Sequence, residues 1–183
     1  MTSAIPDLVP GMKAPDFEGM ATGPNGHKLM RMKDFTTNNW CLLFFYPIDF
    51  GYNFRSELLA LNSIKKDLEK LNCNLVACST DIAFAVRVLL SVAPEERGVK
   101  GLSIPLLEDV NGDIAKKYGV LRKDSDSTFR GYFLIDSDGI IRKRTIYDSL
   151  PIGWMDGWEW LTKETIMEFQ DTLVQSLFES LSL

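Results

Sequence analysis

Cysteine and histidine side chains most readily act as nucleophiles or metal ligands, and this chain has three cysteines and one histidine. Cys41 and Cys78 each lie within an apolar run, where burial raises the pKa of a thiol and makes it inert. Cys73 lies at a predicted helix-to-strand junction and is expected to be the most accessible thiol, although no basic residue is adjacent to activate it. His27 is predicted to lie in a surface loop. One histidine with dispersed cysteines does not make an ordinary zinc site, so we expect no metal and no cofactor.

The cysteine count and spacing also bear on disulfide bonds. An odd number of cysteines argues against a secreted disulfide framework. Cys73 and Cys78 are predicted to share one strand, which places them roughly 16 Å apart and on opposite faces. A disulfide needs Cα atoms within about 7 Å of each other, so we expect these two thiols not to bridge.

A strand, a loop and a helix in succession form the segment that would position a reactive group. The apolar run Trp40–Tyr46 predicts a strand buried on both faces. Pro47 and Gly51 then mark a loop, and an amphipathic helix is predicted over about 54–71. Ligands of open α/β sheets bind at the C-terminal end of such a strand, where the helix N-terminus would acidify a thiol. The first helical turn, which reads FRSE from Phe54, contains no cysteine.

The remaining elements are predicted from apolar periodicity and turn residues. In chain order they are a strand at 74–79, an apolar helix at 82–92, a strand near 104–107, a short helix at 111–118, and strands at 129–136 and 140–147. Asp138-Gly139 between the last two strands is the strongest hairpin signal in the chain. Turns are also expected at Gly19 and from Gly23 to Gly26. The helix at 82–92 has almost no polar face, so we expect it to be buried in the core or against a partner.

Bulk properties exclude several classes of protein. The net charge of −5 and the pI near 5.0 argue against nucleic-acid binding, which needs a basic footprint. No stretch of about 18 apolar residues predicts a membrane span. The N-terminal residues lack the basic-then-apolar layout of a signal peptide, so we expect a cytoplasmic protein.

Several separated segments resemble one protein family. They are APDF at 14–17, FFYPIDF at 44–50, CNLVACSTD at 73–81, RGYFLID at 130–136 and LPIG at 150–153. Over about residues 10–153 the chain resembles the two-cysteine peroxiredoxins of the AhpC/TSA type, almost without gaps. The resemblance implies a thioredoxin-like α/β fold with a central mixed sheet flanked by helices. The chain length predicts one domain over 1–183. A cap at Thr162 and a stripe of apolar residues predict a C-terminal helix at 162–183.

The resemblance locates the family's active-site loop at the end of the Trp40–Tyr46 strand. Pro47 matches the family's proline, and Glu57 matches its glutamate. Gly51 stands where the family has a threonine, and Phe54 stands where it has the peroxidatic cysteine. Arg55 occupies the position of a second proline. The family's resolving cysteine belongs to a C-terminal tail that we expect this chain to lack.

Two arginines complete the family's site, and only one of them is matched here. Arg130 matches the arginine that points at the catalytic thiol, whereas Trp154 stands where a second arginine is usual. Phenylalanine has no lone pair with which to attack a peroxide. We therefore expect no catalytic residues. We expect Phe54 to fill the pocket that holds the catalytic thiol in the family, and Glu57 to serve as the counter-ion of Arg130.

The replacement of the family's peroxidatic cysteine, threonine and second arginine favours a function in association with other proteins. The chain would be a peroxiredoxin-like pseudoenzyme that forms homodimers through the 140–147 edge strand or binds an active peroxiredoxin. The apolar helix at 82–92 motivates this hypothesis. A cluster of Trp154, Trp158 and Trp160 adds to it, because tryptophan is enriched at binding hot spots.

Two other functions remain open. The chain could be a thiol peroxidase that uses a displaced cysteine, either Cys73 or Cys41. It could instead be a binding module for small anions, with a pocket formed by Tyr46, Phe54, Arg130 and Trp154.

Overall fold

The structure is a computed structural model that describes residues 7–47, 53–81, 83–96 and 98–147. Its first elements are β1 (Glu18–Gly23), β2 (Gly26–Arg31), α1 (Met32–Thr36), β3 (Trp40–Phe45) and α2 (Asn53–Lys70). They are followed by β4 (Cys73–Ser79), α3 (Ala83–Ser91), a 3₁₀ turn (Pro94–Glu96), β5 (Leu106–Glu108), α4 (Asp113–Lys117), β6 (Arg130–Ile135) and β7 (Ile141–Tyr147).

The strands form one seven-stranded mixed sheet in the order β2-β1-β5-β4-β3-β6-β7. Strands β3, β4 and β5 run parallel, and all other neighbouring pairs are antiparallel. The predicted α/β architecture, a mixed sheet flanked by helices, is therefore confirmed. Among the described helices, none combines the length and the apolar character that a membrane crossing requires.

An apolar core covers each face of the sheet. On one face α1 and α4 contribute buried residues such as Phe35 and Ile114. On the other face α2 and α3 contribute residues such as Leu58, Leu61 and Val86. Because both faces are covered, the central strands are almost entirely apolar, which is the pattern that made β3 predictable.

The hairpin of β6 and β7 forms around Asp138-Gly139 as predicted. Gly139 has φ of 77°, a conformation that favours glycine, and the backbone N–H of Ile140 donates to the Asp136 carboxylate at 2.8 Å. Burial tends to raise the pKa of Asp136, but this hydrogen bond and the Arg142 guanidinium hold its net pKa below the usual value. The hairpin places β7 at one edge of the sheet, as the prediction required.

Two N-terminal predictions have different outcomes. The turn from Gly23 to Gly26 is confirmed, because it joins β1 to β2. The turn at Gly19 is wrong, because Gly19 lies within β1. A Cβ atom at Gly19 would lie only 3.1 Å from both the Glu108 carbonyl oxygen and Leu107 Cδ1, so this glycine allows β5 to approach closely.

Helix α3 is only partly buried, although the helix predicted at 82–92 has almost no polar face. Val86 is buried, and Leu89 and Leu90 pack against the core at its margin. Val88 is 45% exposed and faces away from the core. The core interpretation therefore holds for one side of the helix, and the exposed side is compatible with a partner surface.

The C-terminal predictions lie outside the described residues. They are the helix at 162–183 and the cluster of Trp154, Trp158 and Trp160. The single domain over 1–183 accordingly stays a prediction.

Candidate active site

The C-terminal end of β3 forms one wall of the candidate site. Tyr46 and Pro47, which follow Phe45, are both buried. The Tyr46 N–H donates to the Cys78 carbonyl at 3.1 Å, which continues the pairing of β3 with β4 by one residue. The Tyr46 ring stacks on Phe44 with centroids 6.3 Å apart, so both rings lie on the face that α2 covers.

Phe54 in the first turn of α2 fills the space beyond Tyr46. Its side chain is 1% exposed, and its ring stacks on Tyr46 with centroids 6.2 Å apart and an interplanar angle of 12°. The guanidinium carbon of Arg55 lies 5.2 Å from the centroid of the Phe54 ring, within range of a cation–π contact. An apolar ring thus occupies the helix terminus at which a thiol would be acidified.

One helical turn after Phe54, Glu57 forms a buried ion pair with Arg130. Residues three apart share a helix face, so Glu57 points to the same side as Phe54. The Arg130 Nε donates to Glu57 Oε1 at 2.7 Å, and the two side chains are only 7% and 4% exposed. Phe45 pairs with Gly131, so Arg130 lies beside the end of β3. The predicted ion pair is therefore present.

Four of the six predicted site positions can be placed. They are buried around the end of β3: Pro47, Phe54, Glu57 and Arg130. Gly51 and Trp154 lie outside the described residues. The position of Arg55 over the Phe54 ring was not predicted.

Two of the three cysteines lie at the opposite end of the sheet from Arg130. Cys41 pairs with Ile135, five residues along β6 from Arg130, which corresponds to about 17 Å. Cys73 pairs with Trp40 at the same far end. Neither thiol can therefore reach the Arg130 side chain without rearrangement of the sheet.

All three thiols are buried, and the expectation that Cys73 is accessible is wrong. Cys73 is 1% exposed because β4 is covered by α2 from its first residue, with Leu68 in the same core. Burial raises the pKa of Cys73 to about 12, although a backbone hydrogen bond at Leu42 opposes this shift. Burial also raises the pKa of Cys41 and of Cys78. Cys78 packs in the core on the face of the sheet opposite to Phe54.

The first turn of α2 bears no thiol. The polar side chains described around the end of β3 are Glu57 and Arg130, which form an ion pair, together with Arg55 and the Tyr46 hydroxyl. Burial raises the pKa of Tyr46 against the opposing hydrogen bond from Ser79, so the hydroxyl stays neutral. The pairing of Arg130 with Glu57 argues against an anion site there. Within the described ranges, no group of three histidine, cysteine or acidic residues could hold a metal ion.

The prediction that His27 lies in a surface loop is also wrong. His27 belongs to β2, and its Nε2 lies 2.9 Å from Glu108 Oε1. The Thr22 hydroxyl donates to the same oxygen at 3.2 Å. The histidine therefore joins the edge hairpin to β5. Most residues of β2 are exposed, so the strand has no apolar alternation by which it could be predicted.

The chain is similar to proteins of one known family. The AhpC/TSA family model matches residues 10–144. The chain belongs to the AhpC/TSA family. It is 36% identical over 143 residues to peroxiredoxin-2 of Rattus norvegicus, an alignment that spans 78% of this chain and 71% of that protein.

Solved structures of AhpC/TSA peroxiredoxins share the fold. The reduced 2-Cys peroxiredoxin of Plasmodium vivax superposes with a TM-score of 0.74 at 28% identity, over 93% of this chain and 83% of that one. A Plasmodium yoelii Prx1a that is modified at the N-terminus and forms an artifactual octamer gives a TM-score of 0.69 at 27% identity, over 89% and 90% of the two chains. The thioredoxin-like fold that the resemblance implied is therefore confirmed.

Removing one partner of the Glu57–Arg130 pair should be strongly destabilising. We expect Glu57→Gln and Arg130→Met each to lower the free energy of unfolding by about 3–5 kcal/mol, because each leaves a buried charge without its partner. The double variant should lose much less than the sum of the two. Denaturant unfolding of all four proteins measures this coupling.

The exposed pair of Lys70 and Asp67 provides the matched control. These side chains are 75% and 53% exposed, so the cycle of Lys70→Met and Asp67→Asn should give a coupling below about 1 kcal/mol. Equal couplings in the two cycles would contradict the burial of the Glu57–Arg130 pair.

The native thiols should react slowly with Ellman's reagent. Burial raises the pKa of Cys73 to about 12, so this thiol stays protonated at pH 8, and burial shields all three sulfurs. Unfolding in guanidinium chloride should release three thiol equivalents at once. As a control, Val110→Cys places a thiol at a position that is 52% exposed, and it should react within seconds. A native thiol that reacts as fast as this control would support the hypothesis of a peroxidase that uses a displaced cysteine.

Proposed function

We propose that this chain is a member of the AhpC/TSA family that has lost peroxidase activity and acts by association with other proteins. The partner is a second copy of the chain or an active peroxiredoxin. The observation that carries the proposal is the burial of Phe54 against Tyr46 at the start of α2. Peroxide reduction in this family needs a thiolate at that position, which attacks one peroxide oxygen and becomes a sulfenic acid.

The surroundings of Phe54 support the same conclusion. Arg130 forms an ion pair with Glu57, and because Phe54 stands at the position of the family's thiolate, the first turn of α2 offers no thiolate for Arg130 to stabilise. The three cysteines are buried, and their raised pKa values keep them protonated at neutral pH. A displaced cysteine would therefore need both a route for peroxide and a base.

The edge strand β7 supports association between two copies. It is the last strand of the sheet, so one side of its backbone is not paired with a strand of the described sheet. Unpaired edges are templates for pairing with another chain. The Plasmodium yoelii relative that is modified at its N-terminus forms an octamer, so a chain of this fold can associate with copies of itself. The exposed Val88 on α3 offers an apolar contact for a different partner.

Rebuilding the family's residues should restore reactivity with peroxide. We expect the double variant Gly51→Thr and Phe54→Cys to form a sulfenic acid with hydrogen peroxide at least about tenfold faster than Val110→Cys, because a helix N-terminus lowers the pKa of a thiol. The variant Gly51→Thr and Phe54→Ser is the matched control, since it opens the same space without a sulfur. Mass spectrometry measures the oxidised fraction. No gain over Val110→Cys would mean that more than position 54 has been remodelled.

Association itself is tested by sedimentation velocity at micromolar concentration. We expect a dimer, or a mixed species when an active peroxiredoxin is added. A chain that sediments as a monomer alone and in that mixture would contradict the proposed function.

A further inference from the structure

Thioethers are the most accessible sulfur groups in the described part of the chain. All three cysteines are buried, and burial raises their pKa values. Of the methionines in the described ranges, Met12 and Met20 are 44% and 37% exposed, whereas Met32 is only 8% exposed. A thioether carries lone pairs at every pH, so its oxidation needs exposure but no deprotonation. Met12 and Met20 are therefore the described sulfur groups that an oxidant in solution meets first.

Met12 closes a turn in the N-terminal segment, which we define as residues 7–14. The Met12 N–H donates to the Val9 carbonyl at 3.1 Å across Pro10 and Gly11, and Gly11 has φ of 94°. Proline followed by a glycine with positive φ is the arrangement of a type II turn. The Met12 side chain folds back over this turn, because its Sδ accepts a hydrogen bond from the Val9 N–H at 3.5 Å. The main chain and the side chain of Met12 thus both hold Val9.

The same turn holds the N-terminal segment against β7. The Gly11 N–H donates to the Ile141 carbonyl at 2.7 Å, and the Ile141 N–H donates to the Met12 carbonyl at 2.9 Å. Farther along β7, the Arg144 guanidinium lies 2.9 Å from the Asp7 carboxylate. A change in the turn at Met12 therefore acts directly on both backbone groups of Ile141.

We propose that Met12 is a site of reversible oxidation by hydrogen peroxide, and that its oxidation loosens the N-terminal segment from β7. A sulfur lone pair attacks one peroxide oxygen, and the O–O bond breaks. The departing hydroxide takes the proton of the sulfur-bound oxygen, which leaves a sulfoxide and water. The sulfur is oxidised and the peroxide is reduced. A methionine sulfoxide reductase with a thiol reductant restores the thioether, and without that enzyme each Met12 consumes a single peroxide.

Oxidation removes the acceptor that holds the turn. In a sulfoxide the sulfur bears partial positive charge and the oxygen is the acceptor, so Sδ no longer attracts the Val9 N–H. The 3.5 Å between the Val9 nitrogen and Sδ leaves no room for an oxygen atom between them. The side chain therefore turns away, and water solvates the polar sulfoxide. Because one hydrogen bond has a small net free energy, the segment should open several-fold more often while the fold persists.

Peptide mapping by mass spectrometry tests the site. In millimolar hydrogen peroxide, Met12 and Met20 of the unaltered chain should gain one oxygen several-fold faster than Met32, and before any cysteine does. A mixture of methionine sulfoxide reductases A and B, which together reduce both sulfoxide epimers, should reverse the gain. Oxidation of Met12 that is no faster than that of Met32 would overturn the proposal.

Hydrogen exchange tests the effect on the N-terminal segment. After oxidation, the amide of Ile141 should exchange several-fold faster, because its acceptor is the Met12 carbonyl. The amide of Leu134, which lies between β3 and β7 in the sheet, is the control and should not change. An unchanged Ile141 amide in a chain that is fully oxidised at Met12 would show that oxidation does not loosen the segment. These readouts concern a single chain and do not depend on the proposed association.

Matched variants assign the effect to Met12. Met12→Leu keeps an apolar side chain of similar size without sulfur, so peroxide should leave the exchange of its Ile141 amide unchanged. Met20→Leu removes the other exposed thioether, which lies in β1 on the far side of the sheet from β7, and the response should persist. Met12→Gln, whose side chain is polar like a sulfoxide, should exchange like the oxidised chain without peroxide. A response that survives Met12→Leu or disappears in Met20→Leu would contradict the role of Met12.

Discussion

The structure depends on the exclusion of water from the space between the end of β3, the first turns of α2 and the start of β6. Phe54 and Tyr46 stack across this space, and Glu57 and Arg130 form an ion pair within it. Because two charges are buried together, neither can be removed without a large cost to folding. The arrangement therefore fixes the N-terminus of α2 against the sheet, whether or not a reactive group is present there.

The same arrangement shows how the AhpC/TSA scaffold is held together with a phenyl ring at the start of α2. A thiolate at a helix N-terminus needs partial positive charge, a nearby cation and access for the peroxide. Here an apolar ring fills the terminus, and the nearby cation, Arg130, is balanced by Glu57. The cysteines do not compensate, because burial raises the pKa of each of them. Under the proposed function, the surface available for association is the outer side of β7, which pairs with no other strand of the described sheet.

The sequence predicts the central strands and helices and the ion pair. It does not predict the surroundings of residues at the ends of elements and at the edges of the sheet. The apolar run of β3 predicts only a buried strand, and the apolar periodicity of α2 predicts only a helix. The predicted bounds of both elements therefore agree with the structure within one residue. Cys73 was misplaced because a junction in the sequence does not reveal that α2 already covers the first residue of β4. Gly19 was misread as a turn because close approach of β5 also requires glycine. The contacts of residues 7–14 with the hairpin of β6 and β7 left no pattern in the sequence, since they join residues more than a hundred positions apart.

The central claim is that this peroxiredoxin scaffold holds no sulfur able to turn over peroxide. The most direct test is the steady-state consumption of hydrogen peroxide by the unaltered chain with thioredoxin, thioredoxin reductase and NADPH, beside an active two-cysteine peroxiredoxin. We expect no consumption above the rate without the chain. Turnover that disappears when Cys73 or Cys41 is replaced by serine would contradict the claim.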